Sequence, residues 1–402
     1  MQWNLGVQRS LGQRVVAEVR YVGNHDVGNF QNLNGNPRVD ALAADFPDLL
    51  PAGIAPCSTS GTPGFGVYVN CNNRRVLERA NTAFSIYHSM QSELRMANFH
   101  GLTSTLSYTY SKVIDNASEV YSTGIGGNTL SFAQNPFNTS RGERAVSGYD
   151  FPHIFGLTVI YDLPFYKGQH GFAGKALGGW QLNSTYRFTS GQPYTTVQTR
   201  LNSVAGFSYC DTSNTMSGFY DACRPILFDA SAPLASAGQM CDGTTDTCVI
   251  DPVAGTAQPL GTLFAFGDAC YGSNLGPSPC PVTPINTAHW VVNDPAAAAF
   301  YGTPFKGVGR NSLRGQAIST MNLSMFKNTK LTEKVTLQLR ATAYNALNHQ
   351  FRGTPDVLLD DVLAGSFQNN FFNPNGGGTF AGNVVADGIA QRRLEFGAKI
   401  IF

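Results

Sequence analysis

Apolar and polar residues alternate with a period of two over much of the chain, and no stretch sustains the 3.6-residue period of a long amphipathic helix. The clearest run is 102–111. Leu102, Ser104, Leu106, Tyr108 and Tyr110 fall on one side, and Thr103, Thr105, Ser107, Thr109 and Ser111 on the other. The stretch 180–189 repeats it, with Trp180, Leu182, Ser184, Tyr186 and Phe188 against Gln181, Asn183, Thr185, Arg187 and Thr189. At the end of the chain Leu394, Phe396, Ala398, Ile400 and Phe402 oppose Arg393, Glu395, Gly397, Lys399 and Ile401. Weaker copies lie at 15–22, 84–96, 155–161, 321–325 and 335–343, and a short opening strand around 3–9 brings the expected number to nine.

Such alternation suits a soluble sandwich and a membrane barrel equally. The connections separate the two. Those at 10–13, 98–101, 164–179 and 328–334 are short, whereas those at 24–82, 115–152, 191–316 and 349–388 are long, and the two kinds alternate without exception. In an up-and-down meander this puts every short turn at one end and every long loop at the other. Outer-membrane barrels have that asymmetry, and long structureless loops are uncommon in compact soluble domains. The expected fold is therefore all-β: an antiparallel up-and-down transmembrane β-barrel with long extracellular loops. Trp3, Tyr21, Tyr108, Tyr110, Tyr161, Phe165, Trp180 and Phe402 sit near strand ends, as membrane-interface girdles or simply as good strand formers.

Composition agrees. Charged residues are 13% of the 402, against roughly 25% in soluble domains. Lys+Arg is 27 and Asp+Glu is 26, so there is no basic excess for nucleic acid. No apolar run approaches the roughly 18 residues of a membrane helix. Charges on the expected lumenal side, Glu18, Arg20, Glu93, Arg95, Arg187, Arg340, Arg393, Glu395 and Lys399, either hold something inside the bore through ion pairs, or line a solute path, or form the ordinary wet interior of a barrel.

The eight cysteines form four neighbouring pairs: Cys57 and Cys71, Cys210 and Cys223, Cys241 and Cys248, Cys270 and Cys280. All lie in Gly-, Pro-, Ser- and Asp-rich stretches, and none has zinc-type spacing, so all eight are disulfide candidates of an oxidising compartment. Their connectivity is open. No signal peptide precedes Met1, and an oxidised chain without one is expected to lack its true beginning.

Several segments then carry a resemblance: Tyr21-Val22-Gly23-Asn24-His25; Leu106 to Ser118 (LSYTYSKVIDNAS); Tyr149-Asp150-Phe151-Pro152-His153; Leu177 to Leu182 (LGGWQL) with Ser190 to Tyr194 (SGQPY); Gly309 to Gly315 (GRNSLRG) with Asn322 to Asn328 (NLSMFKN); Ala343 to His349 (AYNALNH); and Phe396 to Phe402 (FGAKIIF). Together they resemble the C-terminal part of the barrel of a TonB-dependent outer-membrane receptor or transporter of the Oar-like group. Ile154 stands where relatives usually have Arg, and the loop 191–316 matches nothing in that pattern.

The resemblance implies that residues 1–402 are about nine strands of a barrel of about 22. A signal peptide, a carboxypeptidase-regulatory-like domain, a TonB box, a plug and the early strands are then missing, and 191–316 is a Cys-containing extracellular loop. It implies uptake or passage of a bulky ligand across the cell outer membrane. The implied partners are outer-membrane lipid, the TonB complex through the missing N-terminal region, the barrel assembly machinery and an unknown extracellular ligand. Leu394, Phe396, Ala398, Ile400 and Phe402 are then the assembly signal, with Phe402 periplasmic. Two other readings stand beside it: a structural or adhesive outer-membrane barrel, and a secreted soluble β protein.

Enzyme function is not expected. No His-Glu-x-x-His, Gly-x-Ser-x-Gly, phosphate-binding or EF-hand motif is present, so no catalytic, cofactor-binding or metal residue is assigned, and no cofactor. The run from Cys241 to Cys248, with Asp251, has oxygens for Ca²⁺ but reads equally as a solvated hairpin loop.

Overall fold

The computed structural model describes residues 1–57, 68–73, 76–118, 133–196, 224–234, 236–241, 243, 258–265, 284–349 and 391–402. Its main sheet contains nine long strands in sequential order: β1 (Gln2–Ser10), β2 (Val15–Asn34), β3 (Leu77–Phe99), β4 (Leu102–Asp115), β5 (His153–Asp162), β6 (Trp180–Thr189), β7 (Ile318–Lys330), β8 (Thr336–Tyr344) and β9 (Arg393–Ile401). Every neighbouring pair is antiparallel. The two-residue strand Ala145–Val146 pairs beside β4. All nine expected strands are present, and the short and long connections alternate as the pattern requires.

Register turns the strand-by-strand alternation into two continuous faces. Cross-strand partners point to the same side of a sheet. One row runs Leu5, Tyr21, Met90, Tyr110; another runs Ala17, Leu94, Leu106, Leu157, Tyr186, Met321. Leu323, Ala343 and Leu394 carry the same face to the last strand. Several of these side chains are exposed, Leu5 at 75%, Tyr110 at 52% and Leu394 at 61%, and those of the central strands are half-buried. The opposite face reads Gln8, Glu18, Glu93, Ser107, Gly156, Arg187, Thr320. A sheet whose greasy side meets no core of its own chain requires an apolar surrounding.

The sheet is not closed. Among the described residues β1 pairs only with β2, and β9 only with β8. In hydrocarbon each unpaired edge group costs several kcal/mol, so both edges need partners.

β2 and β3 outrun the expectation. The alternation of β2 lapses after Val22, yet the strand continues to Asn34, and β3 begins at Leu77. Twenty residues of strand are roughly 66 Å long, whereas crossing a bilayer takes about 9–11 residues. The extension is polar (Asn24, Asp26, Asn29, Gln31, Asn32) and carries register shifts at Val27/Asn29 and Asn29/Gln31, with Gly28 at φ 76°. Its tip holds the helix Asp40–Asp45, a 3₁₀ turn Pro47–Leu49 and a disulfide between Cys57 and Cys71, Cα atoms 5.5 Å apart.

The connection 191–316 is more than a loop. It contains a four-stranded sheet in the order Leu263–Ala265, Ala237–Met240, Trp290–Val291, Ile226–Leu227, and the helix Pro295–Tyr301. Ile226, Met240, Leu263, Ala288, Val291, Ala296 and Ala297 form its core. The helix begins on Asp294, whose carboxylate accepts from Ala297 N at 2.7 Å and from Gln239 Nε2 at 2.8 Å, and it ends on left-handed Gly302. This folded cap has a hydrophobic core the main sheet lacks.

Candidate functional site

Two features of the sheet are candidate functional elements: the polar face and a buried clamp where long connections meet it. On the polar face β4 to β7 form a hollow of about 470 Å³. Thr105, Thr158, Thr185 and Asn322 cross it in one row, and Ser107, Gly156, Arg187 and Thr320 in the next. Gly156 keeps the middle open, since a Cβ there would lie 2.8 Å from Ser107 Oγ. Ile154 also lines this hollow, between Thr109 and Thr189.

Around it the charges pair locally. Arg20 binds Glu18 at 2.8 Å, Arg95 binds Glu93, and Arg340 reaches across to Glu395 at 2.7 Å. The Arg393 guanidinium stands 4.6 Å over the Tyr344 ring. Arg340 and Glu395 are half-exposed, so this pair contributes at most about 1 kcal/mol. Arg187 is exposed and flanked by hydroxyls, and Lys399 lies opposite Gln338. The surface is wettable, and its Arg20–Glu18, Arg95–Glu93 and Arg340–Glu395 pairs are local. Among the described residues no group of His, Cys, Asp or Glu is placed to hold a metal.

The clamp collects segments far apart in sequence. Arg310 is buried; its Nη2 donates to Asp115 Oδ1 at 2.6 Å and to the Asp115 and Glu143 carbonyls at 3.1 Å each. Glu143 also meets Arg224, which donates to Val308 O at 3.0 Å. Burial pulls the Arg224 guanidinium below its ordinary value, and the Glu143 carboxylate opposes that. Arg314 donates to Asp150 Oδ2 at 2.7 Å and to the carbonyls of Asp150 (2.6 Å) and Gly191 (2.9 Å). Asp150 further accepts from Lys112 Nζ at 3.3 Å and Val113 N at 2.7 Å. Asn311 ties in Thr195 and Val146. The backbones at 191 and 315 approach so closely that a Cβ on Gly191 would lie 1.8 Å from Gly315 O. Burial pushes the Tyr194 phenol up beside them.

Three of the recognised segments thus form a single knot. Asp115 to Ser118, Tyr149 to His153 and Gly309 to Gly315 close the ends of β4, β5 and β7 and fasten the cap to the sheet. The Ala343 to His349 segment ends β8 similarly, with Asn345 Nδ2 on His349 O at 3.0 Å and His349 N on Asn345 Oδ1 at 3.1 Å. Arg224 and Glu143 carry no motif in the sequence; a lone arginine and a lone glutamate in two separate loops give no signal of pairing.

Leu394, Phe396, Ala398 and Ile400 form the apolar row of the open edge strand, and Phe402 follows it at 92% exposure. Of the cysteines, Cys57 and Cys71 are bonded to each other and Cys241 is disulfide-bonded. Cys210, Cys223, Cys248, Cys270 and Cys280 lie outside the described residues, as does Asp251 with most of the loop considered for Ca²⁺.

No curated protein matches the chain by sequence. Among solved structures it is similar to the outer membrane transporter YddB from Escherichia coli, with 10% identity, a TM-score of 0.34, and coverage of 88% of this chain and 29% of that one. It is also similar to P. aeruginosa FpvA, solved bound to heterologous pyoverdines, with 8% identity, a TM-score of 0.36, and coverage of 100% and 26%. The chain therefore spans less than a third of the length of either. The family model described as "Outer membrane beta barrel domain" matches residues 1–375, and the chain belongs to that family.

Proposed function

We propose that this chain is barrel wall and ligand-facing loop assembly of a TonB-dependent outer-membrane receptor that takes up a bulky ligand. The observation that carries the reading is the joint geometry of wall and clamp. A two-faced antiparallel meander has its long connections at one end, and a buried knot of Arg310, Asp115, Glu143, Arg224, Arg314 and Asp150 ties two of them, 115–152 and 191–316, to the sheet there. Loop bases fastened over a wide polar wall suit capture of a large solute; a structural anchor has no need of them.

In this reading the apolar face meets outer-membrane lipid and the polar face looks into the bore. The long connections are extracellular, and the short turns and Phe402 are periplasmic. Further strands, a plug and a TonB box complete the protein. The weak surface pairs on the polar wall suit a plug that must shift during transport, because few strong contacts hold it. The final strand, with its row ending at Phe402, is the element handed to the barrel assembly machinery.

The test compares cells lacking the whole gene with cells lacking TonB. Both are expected to lose uptake of the same nutrient from a panel of polysaccharide fragments, peptides and metal chelates. Uptake untouched by either deletion, with surface attachment lost on deletion of the gene, would establish the adhesive reading instead.

A further inference from the structure

The connection between β5 and β6 is short by the standard of this chain but contains a helix, Gly171–Leu177, whose position on the sheet is informative. Two side chains of the apolar face hold it. Trp180 and Lys327 are cross-strand partners on the same side as Leu182 and Met325. Trp180 Nε1 donates to Ala176 O at 3.2 Å. Lys327, 8% exposed, donates Nζ to Lys175 O at 2.5 Å and to Gly178 O, and its ammonium stands 5.3 Å from the Trp180 ring. Gln169 fixes the entry to the helix by donating to Asn328 O at 2.8 Å and accepting from Lys330 N at 3.0 Å. The helix is thus fastened to the outside of the wall, at the rim opposite the cap.

What it shows to the surroundings is apolar and basic. Phe172 is 91% exposed, Phe165 60%, Tyr166 59% and Leu177 53%. Lys167 and Lys175 are exposed, and the connection contains no Asp or Glu. A soluble turn has no reason to place four large apolar side chains outside. An element lying in the headgroup boundary has both compositions at once: rings and leucine toward acyl chains, lysines toward phosphates. The patch also continues the apolar face without a break, because Trp180 belongs to both.

We infer that Gly171–Leu177, with Phe165 and Tyr166, is an interfacial anchor that inserts Phe172 into the phospholipid leaflet at the short-turn rim. Lys327 and Trp180 clip the helix to the barrel wall. The inference rests on the reading that the apolar face meets lipid, and adds a specific contact to it. The clip explains a lysine among apolar neighbours: its charge is spent on the carbonyls that end the helix and is not left facing hydrocarbon.

The experiment uses the whole protein that contains this chain, in vesicles of phosphatidylethanolamine and phosphatidylglycerol, with Phe172→Trp and Leu106→Trp read as added emission over the parent. Phe172→Trp is expected to lose about half its added emission to lipids brominated near the headgroup and little to aqueous iodide, matching insertion of roughly 5–10 Å. Leu106→Trp is expected to respond to bromines deep in the acyl chains. If Leu106→Trp is quenched by lipid while Phe172→Trp is quenched by iodide alone, the anchor is refuted and the wall reading stands. If neither is quenched by lipid, the wall reading fails and the anchor with it.

Discussion

Arg310 shows how much one side chain holds at the top of the sheet. Removing it leaves the Asp115 carboxylate without its cationic partner, with Ser118 Oγ at 3.2 Å still donating to it, and takes a donor from two carbonyls inside the protein. Breaking a buried ion pair on one side costs roughly 3–5 kcal/mol. Arg310→Ala is therefore expected to loosen the cap, measured as faster protease cleavage of the connections and a lower melting temperature. Arg340→Ala, which breaks a half-exposed pair, should change stability by no more than about 1 kcal/mol. Equal effects of the two would show that the clamp carries no special burden.

Asp229, on the cap, gives a pH signature. Ser231 Oγ at 2.6 Å, Thr287 Oγ1 at 2.6 Å and Ser231 N at 2.8 Å donate to its carboxylate and lower its pKa from 3.8 to about 2. A folded pKa below the unfolded one stabilises the fold above about 3.8, and that contribution is lost as pH falls toward about 2. The stability gap between the parent and Asp229→Asn should accordingly shrink across that window. Carboxyl NMR should place the midpoint near the lower value; a midpoint at 3.8 would mean the three donors are not engaged.

At the scale of the strand, facing is the quantity to test. Leu106 and Thr105 are neighbours in β4, the first in the apolar row with Leu94 and Leu157, the second in the polar row with Thr158. An arginine near the bilayer midplane costs roughly 2–4 kcal/mol, and one in a watery bore costs little. Leu106→Arg should reduce outer-membrane yield of the whole protein well below that of Thr105→Arg, and comparable yields would reject the facing. All nine strands were legible because each repeats its alternation for several residues where it must separate two solvents. The upper half of the β2–β3 hairpin was not, because Asn24, Asp26, Asn29 and Asn32 sit where both faces meet the same surroundings. The cap was not legible either. Its strands are two to four residues long, too short for any period, and its core joins Ile226 to Ala297 across the chain. The clamp was half legible: the segments bearing Asp115, Asp150, Arg310 and Arg314 stood out, but Arg310 and Asp115 are 195 residues apart and their pairing has no local signature.

For the whole molecule the open edges decide what the nine strands belong to. With nine antiparallel strands, β1 and β9 run in the same direction, so closing the sheet on itself would create a parallel seam. Bacterial single-chain barrels have even strand numbers, which avoids that seam. The apolar row reaches both edges, through Leu5 and Val7 on β1 and Leu394 and Phe396 on β9, so each edge needs a partner that continues the same face. In the proposed receptor, a ring of about 22 strands would supply two different partners, one beside β1 and one beside β9. Photo-crosslinkers at Val7 and at Phe396 in the whole protein should therefore form adducts with segments outside residues 1–402, and none with each other's strand. An adduct joining β1 to β9 would show that these strands close by themselves, and would leave no place in the wall for the strands that the transporter reading requires.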